Sequence, residues 1–100
     1  REGRKQVAAI HYHNVKRWTS FGRKTFKEKN GRQTWEVALI IPLDVMTSHH
    51  LRHPRGMTMR ANFYKCGDKL AKPHFLSWNP VDCDHPDFHR PSSFGKITFV

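Results

Sequence analysis

The sequence predicts an all-β chain, and three stretches carry that prediction. Thr34 to Pro42 is apolar at nearly every position, with Trp35, Val37, Leu39 and Ile41 sharing one face at period two. Met57 to Lys65 alternates: Met57, Met59, Ala61 and Phe63 point one way, toward a core, and Thr58, Arg60, Asn62 and Tyr64 the other. Lys96 to Val100 is a short apolar end that reads as a last strand.

Taken in order, Val7 to Ile10 is apolar, and His11 to Val15 alternates like a strand or strand end. Trp18 to Gly22 reads as a turn. Lys24 to Gly31 is charged, and its Asn30-Gly31 pair ahead of a strong strand predicts a hairpin. Ala38 and Ile40 make the second face of the Thr34–Pro42 strand apolar too, which predicts a central strand covered on both sides. Pro42 ends it, because proline donates no ladder hydrogen bond. Leu43 to Met46 fits a short helical turn, and His49 to Gly56 a basic loop. The polar yet aromatic face of the Met57–Lys65 strand is what a binding surface requires. Gly67-Asp68 turns the chain. Residues 71–93 hold Pro73, Pro80, Pro86 and Pro91 with little periodicity, and predict a long loop. Phe75, Trp78 and Phe88 favour order within it.

One hundred residues suit at most one domain, and 37% hydrophobic content limits its core. The longest apolar runs fall far short of a membrane span, so no membrane insertion is expected. The chain begins at Arg1 with no apolar leader behind it, and the compartment is not read directly. Net charge is +10 and uneven: residues 1–35 carry ten Lys or Arg against two acidic residues. Arg4, Lys5, Lys16, Arg17, Arg23, Lys24, Lys27, Lys29 and Arg32 are scattered and bring no helix-turn-helix, zinc-finger or aromatic RNA-binding signature. A solvated basic edge is the plain reading, and a basic nucleic-acid or polyanion module is the rival one. Cys66 and Cys83 are either joined or free, since neither falls in a Cys-x-x-Cys spacing.

Several segments, in order, resemble family 9-like carbohydrate-binding modules. They are Lys16-Arg17-Trp18-Thr19-Ser20-Phe21-Gly22, the Trp35–Pro42 strand ending in Ile-Pro, and Asn62-Phe63-Tyr64-Lys65. Ser77-Trp78-Asn79-Pro80, Phe88-His89-Arg90-Pro91 and the closing Phe94-Gly95 before an apolar strand follow. The resemblance covers residues 15–100. It implies an antiparallel β-sandwich that binds glycans without cutting them, in a secreted, periplasmic or cell-surface protein; a ligand-free structural β-sandwich, which has kept the fold and lost the sugar, is a further alternative. Family domains are considerably longer, which implies that residues 1–100 are a single domain or the C-terminal part of one. In the second case, missing N-terminal strands or a second copy would complete the sandwich.

Trp78 leads the candidate contacts. An indole is a rigid apolar plane for the C–H face of a pyranose, and its N–H can reach a hydroxyl. The alternative is a plug for the open end of the sandwich. Arg60, Asn62, Tyr64 and Asn79 supply the donors and acceptors that hydroxyls need, or else form a solvated outer face. Trp35, in phase with Val37 and Leu39, fits the core; Trp18 fits either a core or a ligand contact, with the core favoured. Asp82, Asp84 and Asp87 gather hard oxygens that keep calcium open as a cofactor, although EF-hand spacing is missing. Cys66, His74, Cys83, His85 and His89 fit no zinc-finger spacing. No strand face pairs the two carboxylates that a glycosidase uses, so no catalytic residue is assigned and the protein is not expected to be an enzyme.

Overall fold

In the computed structural model, which describes residues 8–46 and 48–100, the chain divides into two compact units, Arg1–His53 and Pro54–Val100. The basic residues Arg4 and Lys5 and the apolar Val7 lie outside the described residues.

In the first unit, Ala9–Tyr12 forms a single helical turn, α1, where alternation predicted a strand end. Ala is the strongest helix former, and the His13 N–H closes the turn onto the Ala9 carbonyl at 2.9 Å. Strands β1 (Lys16–Thr19) and β2 (Val37–Ile40) pair antiparallel, with Lys16 opposite Ile40 and Thr19 opposite Val37. Trp18 and Thr19 thus belong to a strand, and the turn begins at Ser20. The Ser20 N–H donates to the Glu36 carbonyl at 3.0 Å and its Oγ accepts from the Glu36 N–H at 2.9 Å, extending the ladder by one step. Gly22, at φ 79°, takes the left-handed conformation that lets the chain leave β1. Asn30-Gly31 lies far along the segment 20–36 and does not form the hairpin's tight turn; neither flank of the pair is a strand.

β2 is shorter than its apolar run and pairs with β1 alone. Leu39 is 52% exposed and Ile40 67% exposed, so neither face is covered as a central strand requires. Beyond Pro42 the chain makes a 3-10 turn over Leu43–Val45.

In the second unit, the expected Met57–Lys65 strand is two strands in two sheets. β3 (Thr58–Ala61) pairs antiparallel with β6 (Gly95–Thr98), and β4 (Tyr64–Gly67) with β5 (His74–Ser77). The break falls at Asn62-Phe63, where the side-chain alternation slips: Met59 and Ala61 are half-buried, and Phe63, nominally in phase, is 57% exposed. The β3–β6 ladder continues past its end, since the Phe99 N–H reaches the Met57 carbonyl at 3.0 Å. Thr58 and Thr98 face each other with their hydroxyls 3.3 Å apart. The expected long loop contains β5, because Phe75 and Leu76 suit a pleated surface and Tyr64–Gly67 offers them a partner edge. It closes with a 3-10 turn over Pro91–Ser93.

All pairings among the described residues are antiparallel, in three two-stranded sheets. No described apolar side chain is fully buried. No described helix is long and apolar enough to cross a membrane.

Gly67 is the one fully buried described residue, opposite His74 at the end of β4. A Cβ there would meet Leu70 Cδ1 at 2.8 Å and the His74 carbonyl oxygen at 3.0 Å. Leu70 can yield, but the paired backbone cannot without loss of the ladder. Gly67→Ala is therefore expected to destabilise the full-length protein by about 1–2 kcal/mol in urea denaturation. An unchanged midpoint would mean that the β4–β5 pair is looser than its register implies.

Candidate functional site

The second unit places Trp78 just beyond β5, in register with Phe63 on the other side of the strand break. Its N–H donates to the Phe63 carbonyl at 2.9 Å, continuing the β4–β5 ladder. The indole is 53% exposed. Its edge meets the Phe63 ring at a centroid distance of 5.6 Å and an interplanar angle of 63°, the favoured edge-to-face geometry. It also lies close over Gly95. A Cβ on that residue would come within 2.7 Å of Cζ3 and 3.0 Å of Cη2. The ring is open to solvent while a neighbouring ring and a backbone seat fix its position.

The next residue explains how the loop is held. The Asn79 N–H donates to Asn62 Oδ1 at 2.9 Å, and the same oxygen accepts from the Phe63 N–H at 2.9 Å. Asn62 Nδ2 donates to the Asn79 carbonyl at 2.9 Å and to the Ser93 carbonyl at 3.2 Å. Asn79 Nδ2 adds a bond to the Ser93 carbonyl at 2.9 Å. Only a primary amide supplies two acceptor and two donor directions on one short side chain. Half-buried Asn62 therefore ties together the strand break, the Trp78 loop and the 3-10 turn before β6.

Arg60 secures the same turn. Its Nη2 donates to the Phe94 carbonyl at 2.7 Å and to the Ser92 carbonyl at 3.2 Å, and Nε to Phe94 at 3.2 Å. Leaning toward these carbonyls suits a cation whose cross-strand neighbour is Lys96. Tyr64 stacks on Phe88 at 4.3 Å and 17°, and Phe75 meets Phe88 edge-on at 6.1 Å. The Tyr64 hydroxyl is buried without a hydrogen-bond partner among the described residues. Beside this stack lies a cavity of about 320 Å³, lined by Phe75, Leu76, Val81, Phe88 and the polar Asp84, His85 and Asp87.

The five residues expected at a binding surface thus fall in one unit. Trp78 is exposed, and Arg60, Asn62 and Asn79 spend their polar atoms on three backbone segments around it. Tyr64 sits on the aromatic stack. Sequence reading missed Phe63, assigned to the core by strict alternation, and Gly95, whose missing side chain seats the indole. The adjacency of Phe94-Gly95 to a final strand was visible, but the partner that needs the gap was not. Trp35 is 41% exposed, where phase predicted core, and Trp18, for which the core was the favoured of two readings, is 55% exposed. Trp35 stacks with Phe21 at 6.2 Å, and Lys29 Nζ lies over the Phe21 and Phe26 rings at 5.1 and 5.3 Å.

Cys66 and Cys83 are both free thiols. His74 accepts from Lys65 Nζ at Nε2, 2.9 Å away, and its Nδ1 lies 3.0 Å from the Lys72 carbonyl. Nδ1 must then carry the proton. Of the three aspartates considered for calcium, Asp84 joins Cys83 and His85 in the group whose ligand atoms come together among the described residues. Asp87 instead accepts from the His89 N–H at 3.0 Å. That bond, with smaller help from Arg90, His89 and His85 and against a small cost of burial, holds its carboxyl below the ordinary 3.8.

An antiparallel all-β unit with a solvent-facing tryptophan on a braced loop has the form of part of a β-sandwich. The chain matches the family described as Carbohydrate-binding family 9 over residues 1–99, and it belongs to that family. It is similar to the crystal structure of a "putative carbohydrate-binding protein" from Bacteroides uniformis, with a TM-score of 0.80 and 41% identity. That likeness covers 99% of this chain and 45% of the solved one, so the chain spans less than half of its structural relative. A shorter match, 38% identical over 61 residues, is to the human zinc finger CCCH domain-containing protein 4. It covers 58% of this chain and 5% of that protein.

The brace makes Asn62 the most sensitive polar position of the unit. Asn62→Ala removes four hydrogen bonds, leaving the Phe63 and Asn79 N–H groups without this acceptor and the Asn79 carbonyl without this donor while Ser93 keeps its bond from Asn79, and is expected to cost roughly 2–3 kcal/mol by chemical denaturation. The Trp78 fluorescence should shift toward that of a mobile, hydrated indole before global unfolding. A variant as stable as the parent would show that the amide does not hold the loop.

Proposed function

We propose that this chain is the C-terminal part of a β-sandwich that binds glycans without cleaving them, with Trp78 as the stacking platform. The observation that carries the reading is a tryptophan exposed over half its surface and yet fixed by Phe63 and Gly95. An indole held this way meets the C–H face of a pyranose with little ordering left to offset binding. Arg60, whose Nε and Nη2 hold the turn, offers Nη1 to a hydroxyl. Asn62 acts by fixing the loop alone, its amide being fully used within the protein, and Asn79 fixes the loop and lies closest to the ligand. The Tyr64 hydroxyl, buried and unpartnered among the described residues, gains a hydrogen bond from a ligand hydroxyl or a bridging water.

Family membership supports glycan as the partner class. The solved relative is more than twice as long as the part this chain matches, which supports further strands outside this segment as the other part of the sandwich. They would cover the apolar faces of β2. A secreted, periplasmic or cell-surface protein with a role in polysaccharide utilisation is the setting that this reading implies.

The test is a titration of the full-length protein with a panel of mono- and oligosaccharides, read by calorimetry and by amide-correlation NMR. One sugar class should move the Trp78 indole resonance, with affinity nearly independent of salt. Trp78→Ala should weaken binding at least about tenfold, the equivalent of ~1.4 kcal/mol. Binding that survives Trp78→Ala would overturn the role of this residue. A steep loss of affinity with salt, relieved by removing Lys24 or Arg32, would favour a polyanion ligand instead.

A further inference from the structure

Cys83, Asp84 and His85 bring a sulfur, a carboxylate oxygen and an imidazole nitrogen within 4.8 Å of one another at one wall of the cavity beside Phe88. We propose that these three side chains form a site for a thiophilic divalent cation, zinc in the first instance, which the glycan reading neither requires nor uses.

The distances fit the ion. With Zn–S near 2.3 Å and Zn–N and Zn–O near 2.0–2.2 Å, tetrahedral coordination sets ligand atoms roughly 3.3–3.6 Å apart. Cys83 Sγ lies 3.7 Å from His85 Nδ1 and 3.9 Å from Asp84 Oδ1, within a few tenths of an ångström of that spacing. The third edge, His85 Nδ1 to Asp84 Oδ1, is 2.7 Å. There a hydrogen bond between two exposed side chains draws the atoms together, and a cation in its place would set them apart by side-chain rotation.

The surroundings suit the same ion. Arg90 Nη1 lies 3.4 Å from Cys83 Sγ and donates to it. A donor to a ligating sulfur is the outer-shell partner that orients a metal-bound thiolate. Its single positive charge is outweighed by the thiolate and carboxylate together. A set of one sulfur, one nitrogen and one oxygen selects zinc over calcium, which takes oxygen ligands throughout. Three protein ligands leave the fourth position to water or to a group entering the cavity.

The experiment uses Co²⁺ and Zn²⁺ as probes on the metal-free full-length protein under reducing conditions. Wild type should show a sulfur-to-cobalt charge-transfer band in the near ultraviolet and bind one more equivalent of zinc than Cys83→Ser. His85→Ala and Asp84→Asn should each weaken zinc binding tenfold or more, and Ca²⁺ should not displace the cobalt. Amide-correlation spectra establish that each variant is folded, and exposed His85 supplies a test independent of Cys83. Identical cobalt spectra and zinc stoichiometry in wild type and Cys83→Ser would overturn the site. So would a cobalt band insensitive to both His85→Ala and Asp84→Asn.

Discussion

The second unit depends on the side-chain amide of one residue. Asn62 sits where an alternating strand splits into two, and its amide completes the hydrogen bonding that the split interrupts. A strand that changes sheets abandons ladder partners at the bend, and each abandoned backbone group costs free energy unless something else satisfies it. Asn62 supplies that partner for the Phe63 and Asn79 N–H groups and for the Asn79 and Ser93 carbonyls. Three segments distant in sequence thereby become one rigid corner.

The corner accounts for a tryptophan that is neither core nor loose. Hydrophobic burial does not fix Trp78, which is half exposed. Its position follows from the backbone on either side: the ladder bond to Phe63, the Asn79 bonds just beyond it, and the glycine seat on β6. Arg60 reinforces the seat by holding the Ser92 and Phe94 carbonyls. Polar side chains thus provide the rigidity, and an aromatic face is left open to solvent. Order in this unit rests on hydrogen bonds and ring stacking, since none of the described apolar side chains is fully buried. The same absence of a closed core fits a family member that spans 45% of its solved relative.

Much of the fold was legible in the sequence because β-structure announces itself through alternation and through proline. Val37–Ile40, Thr58–Ala61 and Gly95–Thr98 lie where apolar patterning placed strands. Two errors share a cause. Reading Met57–Lys65 as one strand carried Phe63 into the core, because alternation holds only while a strand stays in one sheet. Reading β2 as central assumed that an apolar stretch is covered within the segment in view. The exposed position of Trp78 was legible from its loop and its Asn-Pro neighbour. The bracing roles of Asn62, Asn79 and Arg60 were not, because their partners are backbone carbonyls, which no side-chain pattern marks. His11–Val15 misled for a simpler reason: alternation without a pairing partner is not a strand, and the alanines before it favour a helical turn.

The central claim is that Asn62 contributes to glycan binding only by holding Trp78 in place, and a double-mutant cycle on sugar affinity tests it most directly. The account predicts that Asn62→Ala weakens binding in the parent, yet adds nothing once Trp78 is alanine. The two effects would then be fully coupled. Independent, additive losses from the two substitutions would contradict it, because Asn62 would then touch the sugar itself and the corner would not be what positions the platform.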